Sequence, residues 1–216
     1  GGVVPLLGAA ALLKVVAVML IPAAIVAIVA RTGWNRRLLT IAGQTAGISL
    51  GVLWVAFAPF YDLGGTIDAI QSQRGVWVTS PALLVGTIKD ELGYDIDFGP
   101  IYEQFSTGVI VLLTVGGALV AWRRPDALAR IGYEQLFWFL LLATANLRPW
   151  YVIWLLALAA VLPLGMPMIR AGAWAIGAMA SYYYTSWIQN WTDPTWLERQ
   201  SITLAIMLLP VLAVTA

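Results

Sequence analysis

Residues 38–61 contain no Asp, Glu, Lys or Arg, and neither do 105–122, 135–147, 149–169, 171–192 or 200–216. A further run, 3–30, holds one charge, Lys14. About 20 apolar residues rising 1.5 Å each cross a hydrocarbon core of ~30 Å. The pattern therefore predicts an all-α fold, a polytopic integral membrane helix bundle with about seven membrane segments. It forms a single transmembrane domain over 1–216, with one long external loop at 62–104. Composition agrees: 61% of the residues are apolar and 11% are charged, against about 45–50% and 25% in soluble domains.

Several classes of chemistry are excluded at once. The chain has no cysteine and no histidine. Disulfides, thiolate metal sites, Ser-His-Asp triads and His-ligated zinc or haem cannot be built. A net charge of +1 gives no electrostatic case for nucleic acid. No cofactor and no metal is expected. The chain opens at Gly1 without methionine and stops at Ala216 within an apolar run, so it reads as a piece of a longer protein.

The fourth and fifth runs are separated only by Asn146-Leu147-Arg148-Pro149. One kinked helix over 134–162 would be ~44 Å long, too long for the core without a sharp tilt. Two passes fit better: Asn146 suits a helix end and Pro149 the first turn of the next. Lys/Arg counting puts Arg31, Arg36, Arg37, Arg123, Arg124, Arg130 and Arg170 on the cytoplasmic side. Arg74, Lys89, Arg148 and Arg199 fall outside, a bias of seven to four. Tyr182, Tyr183, Tyr184, Trp187, Trp191 and Trp196 would form an outer aromatic belt, and Trp34 and Trp122 mark the inner one.

Within the external loop, Ser80-Pro81 reads as a helix start and Gly93 as its stop. Leu84, Val85, Ile88 and Leu92 share one face, with Lys89, Asp90 and Glu91 mostly on the other. That is an amphipathic helix lying on the membrane surface or capping the bundle. Gly99-Pro100 starts the next helix.

Lys14 is the most informative charge. A lysine inside a span costs roughly 2.5–3.5 kcal/mol on insertion scales. It either faces a cavity that holds an anion, such as a lipid phosphate, or snorkels to the headgroups. Arg148 sits at a helix break whose downstream end favours anions; the alternative is a plain external turn at headgroup level. Arg74, in an apolar-aromatic stretch of the loop, suits a sugar or phosphate contact, or is simply solvated. Asp95 and Asp97, with Asp90, Glu91 and Glu103 nearby, form either a divalent-metal site or an exposed acidic loop. Asp62 and Asp68 are candidate general bases.

Arg148-Pro149-Trp150-Tyr151-Val152-Ile153-Trp154 resembles the PWY-hydrophobic-hydrophobic-W signature of C-type (GT-C) glycosyltransferases. The likeness is to the polyprenyl-phosphomannose-dependent mannosyltransferases and glycosyltransferase family 87. Ala11-Leu12-Leu13-Lys14-Val15-Val16, with Leu20-Ile21-Pro22 and Arg36-Arg37, is similar to that family's lysine-bearing span and basic loop. Ala58-Pro59-Phe60, followed by Trp77 and Ser80-Pro81, resembles its "PF…W…SP" region. The resemblance implies a carboxy-terminal portion of an inverting membrane enzyme of the bacterial plasma membrane. Such an enzyme transfers a sugar, here mannose, from a polyprenyl-phosphate donor to a glycan, glycolipid or protein acceptor. It implies a catalytic aspartate upstream of Gly1, and Lys14, Arg148 and Tyr151 near the donor phosphate. Two other readings compete. A secondary transporter would need several intramembrane charges and a repeat, and neither is seen. A non-catalytic membrane subunit would use Lys14 and Arg148 to pair with a partner.

Overall fold

The computed structural model describes residues 19–34, 80–144, 147–188 and 195–215, with positions 40, 43, 44, 47, 51, 54 and 55. Among these residues every regular element is helical. The α-helices are α1 (Ile21–Thr32), α2 (Pro81–Glu91), α3 (Phe98–Arg123), α4 (Leu128–Trp138), α5 (Val152–Ala160), α6 (Met166–Tyr183) and α7 (Trp196–Ala213). α3 and α7 are long and apolar enough to cross a membrane, while α1 and the Pro149–Ala160 stretch are shorter apolar helices. The chain divides into two compact units, Gly1–Gln71 with Ile110–Leu136, and Ser72–Val109 with Phe137–Ala216.

In the first unit small side chains let backbones approach. Ala23 and Ala27, one turn apart on α1, pack with Ala121 of α3 and Ile131 of α4. Glycine 33, at φ 68°, ends α1 with its N–H on the Val29 carbonyl at 2.9 Å. Arg31 in the last turn of α1 pairs with Asp126, between α3 and α4. The basic ends of two segments, both assigned to the cytoplasmic side by charge counting, thus meet. Gln135 of α4 is buried and donates from Nε2 to the Leu113 carbonyl of α3 at 2.8 Å. A Cβ at Gly117 would collide with that amide, so the glycine makes room for the interhelical bond.

The second unit holds α2. Ser80 is extended, and its Oγ accepts from the Leu83 N–H at 3.2 Å, with Pro81 in the first turn. Gly93, at φ 72°, closes the helix: its N–H reaches the Asp90 carbonyl and that of Tyr94 reaches the Lys89 carbonyl, both at 3.1 Å. This is the paired-bond C-terminus that a left-handed residue permits. Of the two expected placements, bundle cap or membrane surface, the apolar stripe does not take the first. Ser80 and Thr87 are buried, while Val85, Ile88 and Leu92 are exposed. Thr87 can turn inward because its hydroxyl bonds back to the Leu83 carbonyl at 2.8 Å. The apolar stripe of α2 therefore points away from the unit.

α7 begins with a reciprocal cap. Thr195 Oγ1 accepts from the Glu198 N–H at 3.3 Å, and the Thr195 N–H donates to Glu198 Oε2 at 2.8 Å. The helix packs along α6 and touches α2. On α6 the buried stripe is Pro167, Ala171, Trp174, Ala178 and Ser181, with Gly177 beside it. On α7 it is Leu204, Met207, Leu208 and Val211. A Cβ at Gly177 would stand 2.5 Å from the Met207 carbonyl oxygen and 2.7 Å from that of Ile206. Pro210, inside α7, has no N–H to give the Ile206 carbonyl four residues earlier. The bare Gly177 backbone closes against that freed group.

Two boundaries need comment. The helical run after α3 starts at Leu128, before the charge-free run begins, and continues from α4 as a π turn over Phe139–Ala143. Arg130 and Glu134 lie within it and pair one turn apart at 2.9 Å. The run is then about 23 Å long, still short of a ~30 Å core. Between the fifth and sixth runs the chain does not break at Arg170. It breaks at 161–165, after α5, and Arg170 lies inside α6. Pro163 and Gly165 are the local cause; counting charges alone overlooked them.

Gly177→Ala should lower stability by about 1–3 kcal/mol through overpacking, read as thermal unfolding of the detergent-solubilised protein. Gly172→Ala, with open space around its Cβ position, should not.

Candidate functional site

The helix interruption ahead of α5 gathers the candidate groups. Thr144 leaves the π turn in an extended conformation, φ −90° and ψ 121°. Arg148 is extended as well, φ −87° and ψ 141°. Extended backbone before a proline is what the ring of Pro149 imposes on its predecessor. Pro149–Tyr151 then forms one 3-10 turn, closed by the Tyr151 N–H on the Arg148 carbonyl at 3.0 Å, and α5 follows. Leu147 is fully buried and anchors the interruption. Ser106 of α3 ties its other side, donating from Oγ to the Ala143 carbonyl at 2.7 Å.

The side chains form a continuous stack. The Arg148 guanidinium carbon lies 5.6 Å from the centre of the Trp150 ring. Trp150 meets Tyr151 edge-on at 6.4 Å. Tyr151 lies flat on Trp154 at 4.8 Å, with 13° between the planes. Arg148, Tyr151 and Trp154 are half-buried, and Trp150 is exposed. A guanidinium packed against an aromatic ring is held in a defined plane, and the geometry of its N–H fork matches phosphate oxygens. Two of the expected site residues, Arg148 and Tyr151, therefore belong to one constellation, with Trp150 and Trp154 completing it. Lys14 and Arg74 lie outside the described residues, as do Asp62 and Asp68.

A second concavity of about 290 Å³ lies among Leu83, Thr87, Lys89, Asp97, Phe98 and Trp196. Its charged groups hold the loop together. Lys89 donates from Nζ to the Ile96 carbonyl at 2.8 Å and pairs with Asp90 at 2.8 Å. Asp97 accepts from the Gly99 N–H at 3.2 Å and so caps α3. Among the described residues no three acidic groups converge on a point where a metal ion could sit. The Asp95–Asp97 stretch is an exposed acidic loop with structural duties.

Arg170 is the charged group whose setting charge counting misjudged. It is half-buried on α6, with its guanidinium carbon 5.5 Å from the centre of the Phe137 ring, and Phe137 meets the buried Trp174 edge-on at 5.4 Å. Of the expected aromatic belts, Tyr182, Tyr183, Trp187, Trp196, Trp34 and Trp122 are exposed and Tyr184 is buried, while Trp191 lies outside the described residues. No family model, curated protein or solved structure matches the chain.

Trp150→Ala should destabilise the protein by about 0.5–1 kcal/mol more than Trp150→Phe, because only the latter keeps an aromatic face under Arg148. Thermal unfolding of the two variants in one detergent reads the difference.

Proposed function

We propose that this chain is part of a GT-C membrane glycosyltransferase, a multi-pass protein of the bacterial plasma membrane with about seven membrane segments. Its donor is a sugar, mannose, carried on a polyprenyl phosphate. Its acceptor is a glycan, glycolipid or protein on the external face. The observation that carries the reading is Arg148. It is a half-buried cation in extended backbone at a helix interruption, laid on Trp150 beside the opening of the Pro149–Ala160 helix.

The chemistry asks for that arrangement. The acceptor hydroxyl oxygen attacks the anomeric carbon, and the bond from that carbon to the donor phosphate oxygen breaks. Its electron pair goes to the phosphate, which gains negative charge in the transition state. A guanidinium in fixed orientation, in a site with little water, stabilises that charge. The adjoining helix start adds the positive end of its dipole. Trp150, Tyr151 and Trp154 offer apolar rings to the sugar or to the first isoprene units. Lys14 and Arg74 are the further cations of this reading. No residue of the chain is assigned as the base that takes the acceptor proton.

Two experiments test the proposal. In the full-length protein, Arg148→Lys should leave membrane insertion intact and cut sugar transfer from a polyprenyl-phosphomannose donor at least several-fold, because a point charge does not replace a planar fork. Unchanged transfer would overturn the assignment of Arg148. For topology, these 216 residues contribute no cysteine, so single-site labelling needs only any cysteine elsewhere in the protein replaced. Thr32→Cys and Glu91→Cys should react with an impermeant maleimide from opposite sides of the membrane, and reaction from one side would refute the orientation.

A further inference from the structure

The turn between α5 and α6 is exposed, apolar and uncharged. Val161 is 69% exposed and Leu164 is 89% exposed, and Met166 and Ile169 are exposed as well. No charged residue occurs anywhere in 149–169. Turns that face water carry polar or charged side chains; this one reads Val161-Leu162-Pro163-Leu164-Gly165. The nearest charge on its carboxy side, Arg170, is turned inward over Phe137.

Length points the same way. The helical stretch from Pro149 through Ala160 comprises one 3-10 turn and α5. At 2.0 and 1.5 Å per residue it extends about 20 Å. The hydrocarbon core is ~30 Å thick. With the Arg148 interruption at one edge of the core, the turn stops about 10 Å inside its opposite edge.

We infer that the 161–166 turn is a lipid-binding element, lodged in the acyl region of the leaflet opposite Arg148, with Val161, Leu164 and Met166 among the acyl chains. The inference rests on the membrane reading above and goes beyond it. The turn is suited to that depth. Pro163 has no N–H to satisfy, the Leu162 N–H is bonded to the Ala159 carbonyl at 3.1 Å, and the Gly165 carbonyl accepts from Met168 and Ile169 at 3.0 and 3.2 Å. These features reduce the number of polar groups that would need water. Arg170, one turn along α6 and facing Phe137, avoids the lipid as intramembrane charges do. Arg170 is then no loop charge, and the cytoplasmic side keeps six Lys/Arg against four outside.

The test is spin-label accessibility in the full-length protein reconstituted in bilayers, using Leu164→Cys, with Leu112→Cys on α3 and Glu91→Cys on α2 as references. Leu164 makes little packing contact, so its substitution leaves the fold intact. Leu164→Cys should show high collision with oxygen and low collision with a water-soluble nickel chelate, like Leu112→Cys and unlike Glu91→Cys. High nickel access at 164 alone would overturn the inference and leave the membrane reading standing. Low access to both reagents at 164 would mean protein covers the turn, and would overturn it too. Nickel access at both 164 and 112 would sink the membrane reading itself.

Discussion

Backbone polar groups without water are the constraint on which this structure depends. In acyl chains each N–H and C=O must find its partner within its own helix or in a neighbouring one. Every described element is helical, as the proposed membrane setting would require, and several helix ends are satisfied locally. The stop of α2 uses Gly93, the start of α7 uses Thr195 and Glu198, and the Ala143 carbonyl at the end of the π turn is taken by Ser106. Where Pro210 removes a donor, a glycine backbone moves in.

The same constraint explains what could be read from sequence. Helix existence was legible because long uncharged runs have few other uses in a chain of this composition. α2 was legible to within a residue because Ser80, Pro81 and Gly93 are caps with local mechanisms. The interruption before Pro149 was legible for the same reason. The orientation of faces was not. Where both sides of a helix are apolar, as in the proposed membrane setting, hydrophobic spacing loses the contrast that marks a core in water. Spacing put Val85 and Ile88 on one face without saying whether protein or lipid covers it, and the buried residue is Thr87.

The candidate site shows the same division. Arg148 follows from the chemistry of a break, and the break exists, whereas Tyr151 comes only from the resemblance. Trp150 and Trp154 were visible only as members of a motif, because no sequence rule says that an arginine will lie on one ring and a tyrosine on the other. Arg170 was misjudged because a lone arginine between apolar runs was read as a loop marker. Pro163 and Gly165, which do interrupt the helix, carry no charge.

Gln135 and Gly117 have a consequence for how the sequence can change over evolutionary time. The buried amide reaches the Leu113 carbonyl across a space that any Cβ at 117 would fill. A larger residue at 117 would push the Gln135 amide away from that carbonyl. The two positions therefore drift as a pair: growth at one favours shortening at the other. Covariation between them among descendants of this chain would record a single hydrogen bond between α3 and α4.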